Sequence, residues 1–215
     1  MEHLAMIADG NRRWAKEHGR TQWDGHAAGL RAIENACLWA IRNDVPYLTV
    51  YCFSTENWNR SAKEVDSIMH LARVYFGYRV KWFVQHDIAV QFIGRIDRLP
   101  IDILDMMDDV EDSTAQGISL TLTICVDYGG RDEIARAVIH GAATEEDITK
   151  ALTEYAPEPD VILRTGGRHR LSNFMLWQGA YSEIYFSDTL FPALNDAELD
   201  EVKEWFEAQV RNFGA

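Results

Sequence analysis

The chain has 215 residues, of which 47% are apolar, a share that is ordinary for a folded globular protein. Thirty-four acidic side chains outnumber 21 basic ones, which gives a formal net charge of −13. This charge disfavours a sequence-independent nucleic-acid binder and a protein that adheres to anionic membranes, because both need a basic surface. No apolar run reaches the ~18 residues of a spanning helix, so we expect a cytoplasmic protein with no stable membrane insertion.

The three cysteines, Cys37, Cys52 and Cys125, are odd in number and widely spaced. They offer neither a disulfide framework nor a CxxC metal pair, so we expect buried thiols in a reducing compartment. No internal repeat or Gly/Pro-rich linker divides the sequence, and its length favours a single domain over residues 1–215.

Short apolar runs alternate with longer segments of helical periodicity along the chain. We predict strands at Leu4–Ala8, Pro46–Phe53, Ile88–Ile93, Ile118–Val126 and Val161–Leu163. We predict helices at Gly25–Asn43, Ala62–Gln85, Pro100–Gln116, Arg131–His140, Glu145–Tyr155 and Asn195–Asn212. Pro100 suits the first position of its helix, and Thr144 with Asp147 resembles a capping box. Strands separated by helices predict an α/β fold with a mostly parallel sheet flanked by helices.

In such a sheet, ligands bind beyond the carboxyl ends of the strands, so the residues that follow each strand are candidates for a site. Four strands are followed by polar segments rich in Arg and Gly, at residues 9–14, 54–60, 127–132 and 164–173. Each segment alone is also an ordinary turn sequence. Together, their guanidinium groups and the Asp9 carboxylate predict a site for one or two polyanionic head groups with Mg²⁺. No P-loop and no GxGxxG motif is present, which disfavours a nucleotide site.

Seven segments, in order along nearly the whole chain, resemble the cis-prenyltransferases, of which undecaprenyl diphosphate synthase is the type member. They are Asp9–Ala15, Gly25-His26, Phe53–Arg60, Tyr128–Arg131, Arg164–Gly167, Arg170–Phe174 and Trp177-Gln178 with Ala180–Glu183. The resemblance implies a homodimer with a six-stranded, mostly parallel sheet and a hydrophobic tunnel that has diphosphates at its mouth. It also implies a Mg²⁺-dependent transfer of an allylic group to a second prenyl diphosphate.

The resemblance further implies roles for individual residues. Asp9 matches the carboxylate that binds Mg²⁺ and diphosphate, and Glu183 matches a second metal carboxylate. Asn57 matches the position assigned to proton removal, and Asn11 and Trp58 complete the implied catalytic set. The implied substrate-binding residues are Gly10, Arg12, Arg13, Trp14, His26, Ser54, Thr55, Glu56, Arg60, Arg164, Arg168, Arg170, Leu171 and Ser172.

Four differences separate this sequence from the family pattern. Gln22 replaces an Arg, Arg168 replaces a Glu in the second-substrate site, Ser61 replaces a Pro, and the stretch Gly141–Pro159 is short. The predicted helix Ala62–Gln85 also carries rings that would close the tunnel if they project inward, but not if they pack outward or at the dimer interface. They are Tyr75, Phe76, Tyr78, Trp82 and Phe83.

These differences favour a short product made by joining two dimethylallyl units head to middle, as in enzymes of the lavandulyl and cyclolavandulyl type. Regular cis-elongation with isopentenyl diphosphate, to a short-chain or polyprenyl product, is the main alternative. A non-catalytic partner subunit is a remote one, because Asp9, Asn57 and Arg164 are all present.

Overall fold

Six strands form one sheet in the computed structural model, which describes residues 1–210 of the chain. The strands are β1 (His3–Ile7), β2 (Tyr47–Ser54), β3 (Ile88–Ile93), β4 (Leu120–Tyr128), β5 (Val161–Arg164) and β6 (Glu183–Phe186). Their order across the sheet is β3-β4-β2-β1-β5-β6, and each neighbouring pair is parallel. The predicted α/β fold with a six-stranded, mostly parallel sheet is confirmed.

Helices connect these strands, as the alternating pattern predicts. In the described part of the chain they are α1 (Asn11–Glu17), α2 (Gln22–Arg42), α3 (Ala62–Gln85), α4 (Ile101–Thr114), α5 (Gly130–Ile139), α6 (Glu145–Leu152) and α7 (Asp196–Glu207). The predicted bounds of α3 and β3 are confirmed to the residue. Thr144 and Asp147 form the predicted capping box at the start of α6. The predicted helix Asn195–Asn212 is observed as α7, but it ends at Glu207, so its prediction over residues 208–210 is wrong; residues 211–212 lie outside the described residues.

Several local predictions are wrong. The short helix α1 and the edge strand β6 lie where no regular element is predicted, because neither shows a long apolar period. Strand β4 continues through Asp127 and Tyr128, which are predicted to lie in a loop. Pro100 is the N-cap of α4 rather than its first helical residue.

Apolar side chains bury both faces of the sheet, but unequally. The larger cluster lies between one face and α2, α3, α4 and α7, and includes Trp39, Phe83 and Val202. The smaller cluster, on the other face, joins Tyr51 and Tyr128 to the segment after β5. The large cluster therefore packs helices α2, α3 and α4 against the sheet. The cavity described below lies within this cluster.

The cysteine prediction holds for two of three residues. Cys37 and Cys125 are buried, whereas Cys52 is exposed. Cys52 lines the cavity, and desolvation raises the pKa of its thiol to about 12. Among residues 1–210, no helix is both long and apolar enough to cross a membrane.

Candidate active site

A cavity of about 880 Å³ opens at the carboxyl edge of the sheet, where the segments after β1, β2 and β5 meet. In the sheet, β2 lies on one side of β1 and β5 lies on the other, so the order of the strands reverses at β1. Open α/β sheets bind ligands at such a position. Most predicted site residues line the cavity. They are Asp9, Gly10, Asn11, Arg12, Arg13, His26, Ser54, Glu56, Asn57, Arg60, Arg164, Arg170 and Ser172.

Asp9 follows β1 directly and lies between two arginines. Its Oδ1 accepts a hydrogen bond from Arg13 Nη2 at 3.1 Å, and its Oδ2 accepts one from Arg164 Nη2 at 2.9 Å. The Asp9 backbone N–H donates to Thr165 Oγ1 at 3.2 Å. The first and fifth strand ends are thus tied together through one carboxylate.

Arg164, the last residue of β5, is only 4% exposed. Beyond Asp9, its Nη1 donates to Ser172 Oγ at 2.8 Å and to the Arg170 backbone carbonyl. Three partners on its two Nη atoms hold this buried guanidinium in one orientation, while its Nε has no hydrogen-bond partner among residues 1–210. Arg164 therefore fixes the loop that carries Arg170 and Ser172 at the mouth of the cavity.

Two glycines make the approach of these loops possible. Gly10 is the N-cap of α1 with a φ of +122°, and a Cβ there would lie 2.9 Å from the Leu190 Cα. Gly166 has a φ of +83°, and a Cβ there would lie 2.9 Å from the Asp9 carbonyl oxygen. Larger residues would strain the backbone at both positions; at Gly10 they would collide with the segment after β6, and at Gly166 with the residue that follows β1.

A second carboxylate organises the other side of the mouth. Glu64 Oε1, on the first turn of α3, lies 3.0 Å from Arg60 Nη1 and 3.3 Å from Arg12 Nη1. Glu64 is absent from the predicted site residues, although its spacing of four from Arg60 is a recognisable ion-pair signal. Counting only groups that line the cavity, the guanidiniums are Arg12, Arg13, Arg60, Arg164 and Arg170, and the carboxylates are Asp9 and Glu56.

His26, on α2, is held neutral at the mouth. Burial lowers its pKa to about 4, and the nearby Arg60 and Arg12 add to this effect. Its Nε2 and the Asn11 Oδ1 are buried with no hydrogen-bond partner among residues 1–210. Both atoms can serve a ligand bound at the mouth.

Residues 54–59 form a tight turn beside these groups. Thr55–Asn59 is a 3₁₀ helix, and Asn57 Nδ2 donates to Ser54 Oγ at 2.9 Å. The Ser54 N–H donates in return to Asn57 Oδ1 at 3.3 Å. Because both ends of its carboxamide are engaged, Asn57 presents a fixed polar edge to the cavity.

Six predicted residues do not line the cavity: Trp14, Thr55, Trp58, Arg168, Leu171 and Glu183. Trp14 stacks on His18 with ring centroids 4.3 Å apart, and Arg168 is exposed. Glu183 begins β6 and pairs with Val161, the first residue of β5. Asp9 lies beyond the opposite end of β5, and β5 itself spans about 10 Å. Within this chain, the structure does not bring Glu183 to Asp9.

Residues 1–210 contain no group of three or more His, Cys, Asp or Glu side chains that could hold a metal ion.

Asn173 is a cavity residue that the sequence analysis leaves out of the site. Its Nδ2 donates to Glu56 Oε1 at 3.3 Å, and its Oδ1 accepts from the Arg131 N–H at 3.0 Å. It therefore links the segment after β5 to those after β2 and β4. Asn173 follows Ser172 in the family motif Arg170–Phe174, and this position could have identified it as a site residue.

The interior of the cavity is apolar. From the mouth inward, α3 contributes wall residues from Ile68 to Phe83, a stretch of about 22 Å at 1.5 Å per residue. Helices α2 and α4 and the sheet supply the rest, including Leu30, Ile33, Met107 and Leu122.

The aromatic residues of α3 divide between the two predicted orientations. Tyr75, Phe76 and Phe83 line the cavity, whereas Tyr78 is 82% exposed. Trp82 lies partly buried against His86, with ring centroids 4.4 Å apart. The inward rings form part of the wall, and the cavity extends past Tyr75 as far as Phe83.

A cationic mouth that leads into a deep apolar interior defines a protein for amphiphiles with an anionic head and a long apolar tail. The family model described as putative undecaprenyl diphosphate synthase matches residues 7–214. The chain belongs to this family of cis-prenyltransferases and is a prenyltransferase enzyme. The resemblance predicted from its motifs is confirmed, and the remote alternative of a non-catalytic subunit is not retained.

Named relatives match the chain end to end. An isoprenyl transferase of Aquifex pyrophilus is 39% identical over 99% of this chain and 95% of its own length. One from Treponema pallidum is 39% identical over 100% and 99%. Among solved structures, lavandulyl diphosphate synthase from Lavandula x intermedia, in complex with dimethylallyl diphosphate, is 32% identical with a TM-score of 0.92, covering 100% of this chain and 98% of that one. A probable undecaprenyl diphosphate synthase from Campylobacter jejuni is also 32% identical, with a TM-score of 0.87 and coverage of 100% and 99%.

Proposed function

We propose that this prenyltransferase elongates an allylic prenyl diphosphate with isopentenyl diphosphate and holds the growing chain in the cavity. The observation that carries the proposal is the size of the cavity, whose volume of about 880 Å³ includes both the mouth and the apolar interior. The five carbons of a dimethylallyl tail need on the order of 150 Å³ if each takes the ~30 Å³ of a water molecule. The cavity, at about 880 Å³, is several times larger.

The length of the wall supports the same proposal. An isoprene unit spans about 5 Å, from four carbon–carbon bonds of ~1.5 Å. The wall from Ile68 to Phe83 therefore offers room for a tail of several units. Each added unit buries five carbons, worth about 4 kcal/mol at ~0.8 kcal/mol per carbon, so a long cavity favours retention of the growing product.

The mouth provides for two diphosphates in this proposal. Asn11, Arg12, Arg13, His26 and Arg60 surround the allylic diphosphate. Arg164, Arg170 and Ser172 hold the second one. Fixed guanidinium groups stabilise the charge that develops on a departing diphosphate more strongly than mobile water does, because they need not reorganise.

The proposed reaction begins when the allylic carbon–oxygen bond breaks and its electron pair leaves with the diphosphate. The alkene of the second substrate then attacks the allylic carbon, and a proton is lost to restore a double bond. Asn57 is a poor base because the nitrogen lone pair of a carboxamide is delocalised, and both ends of this carboxamide are held by Ser54. We assign it to orienting the reacting carbons, and the proton to the released diphosphate. The apolar wall keeps water from the electron-poor centre.

We assign Mg²⁺ to Asp9. This ion is typically held by one or two carboxylates together with substrate phosphates, and Asp9 is the carboxylate at the mouth that lies between the two proposed diphosphate positions. Bound there, the ion would neutralise charge on the leaving group. The Nη2 atoms of Arg13 and Arg164, which pair with the Asp9 carboxylate, would then be available to the diphosphates without a change in the orientation of either guanidinium.

Head-to-middle coupling of two dimethylallyl units is the second candidate function. It is favoured by the substitutions Gln22 and Arg168 and by the similarity to lavandulyl diphosphate synthase. Both substituted residues are exposed and lie outside the cavity lining, so we rank this candidate below regular elongation.

Product analysis tests the two candidates. The protein is incubated with Mg²⁺ and dimethylallyl diphosphate alone, and then with isopentenyl diphosphate added. Elongation predicts no product in the first mixture and products of several units in the second. A C10 product from dimethylallyl diphosphate alone would instead establish head-to-middle coupling.

We also propose a homodimer. The edge strand β6 leaves Ile184 36% exposed, and the adjacent Tyr181 is 70% exposed. A second copy would cover these apolar groups and the open sheet edge. Sedimentation velocity at micromolar concentration should give the mass of two chains, and a monomer would contradict the proposal.

A further inference from the structure

The loops behind the cavity mouth contain an ion pair, between a partly exposed arginine and a buried aspartate, that plays no part in the site described above. Asp127, near the end of β4, has a fully buried side chain and a left-handed φ of +48°. Its two carboxylate oxygens accept hydrogen bonds from Arg98, at 2.8 Å for Nε to Oδ2 and through Nη2 to Oδ1. A buried carboxylate is costly unless it is paired, so the forked contact fixes Arg98 to the sheet.

The backbone around Arg98 is also held against the end of β4. Ile96–Arg98 is a 3₁₀ helix, and the Arg95 N–H donates to the Asp127 carbonyl at 3.0 Å. Gly94, with a φ of +142°, approaches the end of β4 so closely that a Cβ would lie 1.8 Å from the Val126 carbonyl oxygen. The loop that carries Arg98 therefore has little freedom relative to β4.

Arg98 in turn contacts the turn that carries Asn57. Its guanidinium carbon lies 5.7 Å from the centroid of the Trp58 ring, within the range of a cation–π contact. The Trp58 ring meets Phe53 edge to face at 5.4 Å, and Phe53 lines the cavity. Trp58 follows Asn57 directly in the 3₁₀ helix Thr55–Asn59.

We infer that Asp127 and Arg98 are positioning residues for the prenyl-transfer step. They hold the Trp58 ring, and through it they fix the orientation of Asn57 at the reacting carbons. The inference rests on the proposed role of Asn57. Neither residue lines the cavity, so both act through Trp58 rather than on the substrate.

The test compares steady-state kinetics and thermal unfolding of the full-length protein and its variants. Asp127→Asn removes the charge but keeps the shape, and Arg98→Lys keeps a charge but loses the fork. We expect kcat to fall about tenfold for Asp127→Asn and less for Arg98→Lys, since small misplacements of reacting groups are costly. KM for both diphosphates should stay within about twofold, because the groups that hold them are unchanged.

Asp97→Asn is the matched control. It breaks the Arg95–Asp97 pair in the same loop, but Asp97 is exposed and does not contact Trp58. Its kcat should equal that of the wild type. A loss of kcat as large as that of Asp127→Asn would overturn the inference, because the effect would then belong to the loop as a whole.

The double variant Asp127→Asn with Arg98→Gln separates positioning from stability. With both charges gone, no buried charge is left unpaired, so the unfolding temperature should return toward that of the wild type. We expect kcat to stay low, since Trp58 has lost its cation. Recovery of kcat together with stability would overturn the inference.

Asn57→Ala distinguishes this inference from the function on which it rests. A variant with wild-type kcat would refute the role of Asn57 in the proposed reaction. A low kcat for Asn57→Ala with a normal kcat for Asp127→Asn would refute only the positioning role of the ion pair.

Discussion

The mouth and the interior of the cavity are built by opposite means. At the mouth, buried or half-buried charges hold one another in place, as Arg164 and Arg13 do around Asp9. In the interior, ring and aliphatic surfaces such as those of Tyr75 and Met107 form the wall, and the rings of Tyr75 and Phe76 pack edge to face. Charged groups define orientation and transition-state stabilisation, whereas apolar walls define volume and length. Changes at the mouth should therefore alter rate, and changes in the interior should alter product.

The same contrast explains the charge of the protein. The net charge of −13 belongs largely to solvated segments, including residues 102–112, 145–160 and 196–207. Five arginines and two carboxylates line the cavity at its mouth, and Glu64 is a third carboxylate that contacts two of these arginines. That the acidity disfavours nucleic acids and anionic membranes stays a prediction, whereas the local charge at the mouth suits small anions.

The largest effect should come from Asp9→Ala. We expect kcat to fall by about 10²–10³-fold, as for other residues that stabilise transition-state charge. The loss of a carboxylate leaves the mouth more cationic, so KM for the diphosphates should not rise. Steady-state kinetics checks both, with Asp66→Ala, an exposed carboxylate on α3, as the control. A variant that keeps more than about a tenth of wild-type kcat would contradict this assignment.

A smaller effect on rate, but a clear one on product, should follow from Tyr75→Ala. Removing this ring from the cavity wall gives the growing tail more room, so the products should become longer by one or more isoprene units. Mass spectrometry of the dephosphorylated products measures the change. Tyr78→Ala, one turn away and exposed, should leave product length unchanged. Identical products from the two variants would show that Tyr75 does not limit the tail.

The smallest effect should be the pH dependence caused by His26. Because burial lowers its folded-state pKa to about 4, below the usual 6.5, the folded state takes up this proton later than the unfolded state does. The stabilising contribution is complete above pH 6.5 and is lost as the pH falls toward 4. His26→Asn should reduce the slope of the free energy of unfolding over this range, leaving the contribution of His3, whose pKa burial also lowers to about 4; substitution of the exposed His140 should not change the slope. Chemical denaturation at several pH values checks this, and an unchanged slope for His26→Asn would contradict it.

Most of the scaffold could be predicted because the pattern of the sequence is local. The bounds of α3 and β3 follow from apolar periodicity, and the capping box before α6 follows from a spacing of three. The elements that escaped prediction, α1 and β6, are short and take their stability from neighbours rather than from their own pattern. Asp127 shows the same limit, since its place in β4 depends on pairing with β2.

Within the site, the sequence determined which chemistry gathers at the carboxyl edge, because residues that follow parallel strands must meet there. The family motifs also determined the class of reaction. Only the tertiary structure decided that Arg168 lies outside the cavity, that Glu183 begins its strand at the far edge from Asp9, and that Tyr75 points inward while Tyr78 does not. These features depend on strand register and on which face of a helix meets the sheet, and both are settled by packing between segments that lie far apart along the chain.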